Sequence, residues 1–507
     1  MEGEDDIPSV KKGTVGDRQA MWRMGKVQEL RRNFRFVSMF GFSVILLGTW
    51  EWSLSTSSLG LIDGGKAGLI WMFLIAFIGY IAVYLSMAEM GSMAPTSGGQ
   101  YHWVSEFAPA EYQKPLSYMI GWLSMLGWQT GCATGCFVAG TQIQGLIALN
   151  KLDYSFEAWH GTLLAIAIAV LNVVFNIWLA KKLPLIESIV IVVHVFGFFA
   201  IVTVLWTMGP VENAHDVFTT FNDGGGWGNM GLATLAGMVG SAIPMLGGDC
   251  IVHMSEELRD ASKNLPRAMM WSTIVNGVMG WVMLITFCSV IGDVETALAT
   301  PTKQPFLFVF YQATNSRAAT TVLGSLVLVM IIFSVLSVMA TCSRQLFAFS
   351  RDQGMPFGKT LSYVPPGWDI PINAVLFTFT VAALLSLINL GSAVALNNIG
   401  SLNTAANIVS YFVSIGCVAW RRIKGEPLLP SHFMLGRFGL FTNIVALVFL
   451  TVVFVFSFFP VGPKPTPDQM NWAILMFGGT VGFASVFYYY RGRHVYVGPV
   501  AYVRKSA

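Results

Sequence analysis

A chain of 507 residues that is 54% hydrophobic and 11% charged lacks the polar surface that a soluble protein of this size presents to water. Its net charge of +3 comes from basic residues spread over many short polar segments, which excludes nucleic-acid binding as its organising function. The composition is that of an integral membrane protein, with the lipid bilayer as its first partner.

Residues 1–35 are polar and basic and are expected to form an N-terminal tail. The apolar run that follows is too long for the core of a cleavable signal, so it is expected to insert as a helix. Between Arg35 and Asp63 its one formal charge is Glu51, set as Trp50-Glu51-Trp52 just after Gly48. A carboxylate at membrane depth costs roughly 2.5–3.5 kcal/mol on insertion scales, so it must face a cavity, a partner or a cationic substrate.

Charge-bounded apolar windows follow at 66–89, 114–151, 157–181, 187–212, 223–249, 267–293, 317–344, 437–464 and 468–491. Each holds one spanning helix of about 20 residues. The stretch 369–421 holds two, with Asn389-Leu390-Gly391-Ser392 as the turn between them. The expectation is an all-α polytopic protein with twelve spans in one transporter domain over 36–490, followed by a second tail at 491–507. The tails and the even-numbered loops carry 25 of the 30 Lys and Arg, leaving Lys66, Lys151, Lys303, Arg317 and Lys464 in the odd-numbered loops. Both termini are therefore expected in the cytoplasm.

Two spans read as interrupted. Span 1 carries Gly48 beside its acid, and span 6 carries Pro244-Met245-Leu246-Gly247-Gly248-Asp249. Proline removes a helical hydrogen bond and paired glycines weaken a helix. Such breaks are tolerated in a bilayer only where the freed backbone meets protein, water or ligand. They lie five spans apart, the spacing of a five-plus-five inverted repeat, and repeat-built carriers place substrate at such breaks.

The run Asp249-Cys250-Ile251-Val252-His253-Met254-Ser255-Glu256-Glu257, with Lys263-Asn264-Leu265-Pro266-Arg267-Ala268 after it, resembles the span 6 signature of the amino acid, polyamine and organocation (APC) transporter superfamily. More narrowly the chain resembles the fungal amino acid/choline transporter family, which includes choline and GABA permeases. Pro95-Thr96-Ser97-Gly98-Gly99-Gln100-Tyr101-His102-Trp103-Val104 and Ser350-Arg351-Asp352-Gln353-Gly354-Met355-Pro356, with Pro371-Ile372-Asn373-Ala374 beyond, extend the likeness over nearly the whole chain. The resemblance implies a 5+5 inverted repeat with discontinuous spans 1 and 6, peripheral spans 11 and 12, and a midplane site. Carried onto this sequence, the substrate-binding candidates are Leu47, Gly48, Thr49, Trp50 and Glu51, with Leu246, Gly247, Gly248 and Asp249. Where many superfamily members place a glycine-rich carboxylate cradle in span 1, this chain offers only Gly48, with an acid and an aromatic beside it.

The residue chemistry points the same way, since a carboxylate and an aromatic face both attract an ammonium group, the face by roughly 0.5–2 kcal/mol. Glu51 either meets substrate or pairs with a donor on a neighbouring helix; Trp50, adjoining the break, is the preferred ring over Trp52. Asp249 is either a helix cap or a polar cavity wall. Glu256 and Glu257 either pair with nearby basic residues or act in gating. His194, on the helix face of Glu187, is a candidate for proton coupling because histidine ordinarily titrates near neutrality; otherwise it donates one bond in the bundle. Ser334 and Ser337 either line a sodium site or pack. Cys132 and Cys136 share a helix face, read as packing ahead of a metal site.

No Walker sequence, metal cluster or nucleophile triad is present, so neither an enzyme nor a cofactor is expected. The reading is a secondary carrier of a small amine-bearing solute such as choline, GABA or another amino acid. It would work by alternating access, with H+ as the expected coupling ion and the plasma membrane as the expected address. Its rivals are an exporter of a cationic metabolite and a non-transporting solute receptor.

Overall fold

The computed structural model describes residues 13–391, 393–467 and 469–499, without the side chains of 393–397. The outer parts of both expected tails and Ser392 of the expected turn lie outside the described residues. Twelve helices are long and apolar enough to cross a membrane, as the windows require: Phe36–Ile62, Gly65–Met93, Gln113–Asn150, Ala158–Trp178, Ala180–Met208, Met230–His253, Ala261–Val290, Arg317–Arg351, Ile372–Leu390, Asn398–Lys424, Gly436–Phe456 and Ala473–Val495. They are spans 1 to 12 below. Among the described residues extended pairing is confined to two isolated bridges, Phe34 with Leu258 and Asp63 with Asp223.

Spans 1 and 6 form the centre, each with 78% of its most apolar window buried, whereas span 12 has 11%. Both central spans are broken where the sequence weakens them. Span 1 runs as a helix over Phe36–Leu47, turns through Gly48 in the left-handed region (φ 42°, ψ 43°), and resumes over Thr49–Ile62. Span 6 runs over Met230–Ala242, tightens to a 3-10 turn at Ile243–Met245 around Pro244, and loses helical form through Leu246, Gly247 and Gly248. It restarts for one turn at Cys250–His253. Gly247 has φ 99°, which a side chain rarely adopts.

The polar ends hold more structure than expected of tails and loops. Val15–Arg23 is a helix opened by a capping box between Thr14 and Asp17. The segment after it lies along the loop between spans 6 and 7: Phe34 N donates to Glu257 O at 3.0 Å and Arg259 N to Phe34 O at 3.0 Å. A further helix, Gln100–Phe107, follows span 2 and is buried throughout.

Candidate functional site

The freed backbone at each break is satisfied by a side chain from a neighbouring span. Tyr84 of span 2 donates its hydroxyl to Met245 O at 2.6 Å and accepts Gly248 N at 2.9 Å. Asn276 of span 7 accepts Thr49 N at 3.1 Å and donates to Val44 O at 3.3 Å. Thr49 Oγ1 reaches Pro244 O at 3.1 Å, so the two breaks are tied directly to each other. Without these partners each buried group would cost about 1–3 kcal/mol.

A cavity of about 70 Å³ opens between them, lined by Leu46, Leu47, Trp52, Ile243, Leu246 and Gly247 from the broken spans. Trp128, Gly131 and Thr134 of span 3, Val338 of span 8, and Asn403 and Asn407 of span 10 complete it. Its polar groups are few and specific: Asn407 donates to Asn403 Oδ1 at 2.8 Å, while Asn407 Oδ1 and Trp128 Nε1 are buried without partners. A larger groove of about 490 Å³, lined by residues of spans 3, 9, 10 and 12, is almost wholly apolar and touches neither break.

Glu51 is 1% exposed and its Oε1 lies 2.7 Å from His194 Nδ1. A carboxylate oxygen accepts, so His194 donates, and two residues named separately from the sequence form one pair. Glu51 Oε2 has no partner. It lies at the break, 3.5 Å from where a Cβ on Gly48 would stand, with Trp52 Cδ1 3.4 Å from the same point. Trp50, the ring preferred from the sequence, is fully buried against His194 and Phe198 and does not line the cavity. Trp52 lines the cavity instead, held by its Nε1 donating to Ser334 Oγ at 3.0 Å. The left-handed turn at Gly48 rotates the second half of the span, so regular helical phase does not carry across it.

Of the other substrate candidates, Gly247 lines the cavity and Gly48 forms the break beside it. Thr49 serves the backbone, and Gly248 packs against the ring of Tyr84. Asp249 precedes the restarted helix but its side chain makes no cap. It is fully buried, accepts Gln100 Nε2 on Oδ2 at 2.6 Å, and takes the Tyr411 hydroxyl on Oδ1. It therefore stands behind the cavity wall.

Glu256 and Glu257 are both engaged by span 8. Arg351 grips Glu256 with two bonds of 2.8 and 2.9 Å, and Arg344 reaches Glu257 at 2.7 Å. Burial disfavours the Glu256 charge, yet Arg351 and the backbone N–H of Ser97 hold its carboxyl down at about 2. The N-terminal segment adds a second layer at this face: Lys26 pairs with Asp352, Gln28 donates to Glu256 O at 2.8 Å, and Arg32 to Ser255 O at 3.2 Å. Together these bonds seal the end of the bundle where the described chain begins.

Ser334 and Ser337 diverge. Ser334 donates to Leu46 O at 2.6 Å, and Ser337 to Glu187 Oε1 at 2.8 Å. Among the described residues no cluster of His, Cys, Asp and Glu is suited to a metal ion, and all six cysteines are free and buried. Sequence reasoning gave no role to Tyr84, Asn276, Gln100 or Tyr411. Each is a polar side chain in or beside an apolar span, a signal that marks a partner without naming it.

The sequence matches the amino acid permease family over residues 34–480. A Macrophomina phaseolina protein provisionally named an amino acid/polyamine transporter is 32% identical, over 86% of this chain and 96% of its own length. The choline transporter of Saccharomyces cerevisiae is 29% identical over 92% of this chain and 82% of its own. Amino-acid permease 2 of Neurospora crassa is 28% identical over 99% and 92%.

Proposed function

We propose that this chain, which belongs to the amino acid permease family and is a secondary transporter of amine-bearing solutes, holds its substrate's cationic nitrogen on Glu51, which stands at the span 1 break beside the cavity rather than in its lining. The observation that carries this reading is the free Oε2 of a buried carboxylate whose other oxygen is already satisfied by His194. One proton on His194 Nδ1 suffices for that contact, which leaves Oε2 free to accept from a second donor at membrane depth. A cationic nitrogen is the partner that best offsets the cost of burying a carboxylate there. Trp52 and Trp128 supply aromatic faces, each adding roughly 0.5–2 kcal/mol where water is excluded. The unpartnered Trp128 Nε1 would donate to a hydroxyl or carboxylate elsewhere on the molecule, as choline, GABA and amino acids possess, and the unpartnered Asn407 Oδ1 would accept from a hydroxyl.

Transport then requires the sealed end to open. Breaking the Glu256–Arg351, Glu257–Arg344 and Lys26–Asp352 pairs would release the short second half of span 6 from span 8, the rocking that alternating access needs. The excess of Lys and Arg at that end supports a cytoplasmic assignment; H+ as coupling ion and the plasma membrane as address follow from the family resemblance alone. Uptake of labelled choline and labelled GABA is measured side by side in cells lacking their own permeases, with and without a protonophore. Choline uptake that collapses with the proton gradient is expected. Transport of neither would overturn the substrate class.

A further inference from the structure

Two buried acid–histidine pairs lie in the bundle, and their hydrogen bonding makes different demands. At Glu51–His194 one proton on Nδ1 satisfies the contact, with the ring neutral. At Asp249–His253 that solution is closed. His253 Nδ1 lies 2.9 Å from the carbonyl oxygen of Ser97, which can only accept, so Nδ1 carries the ring's proton. Nε2 lies 3.3 Å from Asp249 Oδ2, off the line of a hydrogen bond, and has no hydrogen-bond partner. Both side chains are 0% exposed, so water cannot relieve the repulsion between the Nε2 lone pair and the carboxylate. The donors Gln100 and Tyr411 serve the carboxylate and leave Nε2 as it was. From this geometry we infer that Asp249 and His253 together form a binding site for one additional proton, carried on Nε2 beside the Asp249 carboxylate, and that it is the coupling proton of the carrier.

The coupling role rests on the proton-linked reading above; the proton site itself does not. Its place suits coupling, because Asp249 and His253 flank the single helical turn after the break in span 6. The ring of His253 meets that of Trp128 edge-on at 5.6 Å, and Trp128 is a wall of the cavity beside Gly247. Loss of the proton restores repulsion across this turn, one residue behind the substrate. Other titratable groups face the pair from neighbouring elements. Tyr80 and Tyr84 of span 2 and Tyr411 of span 10 are phenols, and Cys250 is bonded to Ser43 of span 1. Glu187 of span 5 accepts from Ser337 on Oε1 while its Oε2 is buried without a partner, so Glu187→Gln is melted beside the other variants to separate its contribution. On span 8, Arg344 and Arg351 are committed to Glu257 and Glu256, and Asp352 to Lys26. His102, on the helix of Gln100, is held neutral because burial, with Lys26 and Arg351 nearby, pushes it down to about 3.

The test uses the full chain purified in detergent, with thermal unfolding followed at pH 6 and pH 8. The folded state holds a proton that the unfolded chain releases at the higher pH, so the wild type is expected to melt lower at pH 8. Asp249→Asn gives Nε2 an amide donor and removes the need for the proton, so its pH shift should be smaller, while His194→Gln keeps the full shift. Should Asp249→Asn not be recoverable, His253→Gln removes the same site and is read the same way. A wild-type pH shift in the Asp249→Asn or His253→Gln protein would overturn the proton site. Labelled choline uptake measured from pH 5 to 8 in the same variants reads the coupling role: a flattened profile is expected, and a wild-type profile refutes that role. If the wild type carries neither choline nor GABA, the substrate reading falls, while the melting comparison still decides the proton site.

Discussion

Replacing Glu51 by Gln removes one negative charge while leaving the shape of the site intact. The amide oxygen still accepts from His194 Nδ1 at the position where Oε1 now stands at 2.7 Å, so the packing of span 1 on span 5 persists. A cationic substrate loses its counter-charge at Oε2. Truncating one partner of a buried, hydrogen-bonded charge pair costs about 2–5 kcal/mol, which corresponds to a loss of roughly 30-fold or more in affinity. The assay is the concentration dependence of labelled choline uptake in cells lacking their own carrier, normalised to surface abundance of the protein. The expected result is a KM raised by at least that factor, or no measurable uptake, at wild-type abundance. An unchanged KM would remove Glu51 from the substrate and refute the reasoning.

Gly248→Ala places a Cβ 2.6 Å from the ring of Tyr84, which must leave its bonds to Met245 O and Gly248 N; reduced thermal stability and weakened choline binding are expected in purified protein. Asn276→Ala orphans Thr49 N at the span 1 break, at about 1–3 kcal/mol, and should lower the melting temperature more than Ser→Ala at the lipid-exposed Ser485. The Glu256 carboxyl is held at about 2 against an ordinary 4.5, so its ion pair contributes stability above the ordinary value and loses it as pH falls toward 2. The difference in thermal stability between wild type and Glu256→Gln should therefore be the same at pH 5 and pH 8 and shrink below about pH 4.5; a difference that changes between pH 5 and 8 would contradict the assignment.

The twelve spans and both breaks were legible because hydropathy and helix-breaking residues act locally: Gly48 and the Pro244 to Gly248 stretch fail as helix wherever they are placed. Glu51 and His194 were each legible as costly groups in apolar helices. Their pairing was not, since it joins positions 143 residues apart through the packing of span 5 on span 1. The choice between Trp50 and Trp52 was not legible, because adjacency to the break does not say which face of the resumed helix Thr49–Ile62 looks onto the cavity. Asp249 read as either a cap or a cavity wall, and the sequence could not choose because its partners Gln100 and Tyr411 come from distant chain segments. The N-terminal segment has too little apolar surface to announce itself, and is ordered by ion pairs and backbone bonds with residues that arrive later in the chain.

The most direct measurement is the position of bound choline in an experimentally determined structure of the purified protein. The expected result is an ammonium group within contact distance of Glu51 Oε2 and against the ring of Trp52, between the two breaks. Choline seated away from both breaks, as in the groove between spans 3, 9, 10 and 12, would contradict it.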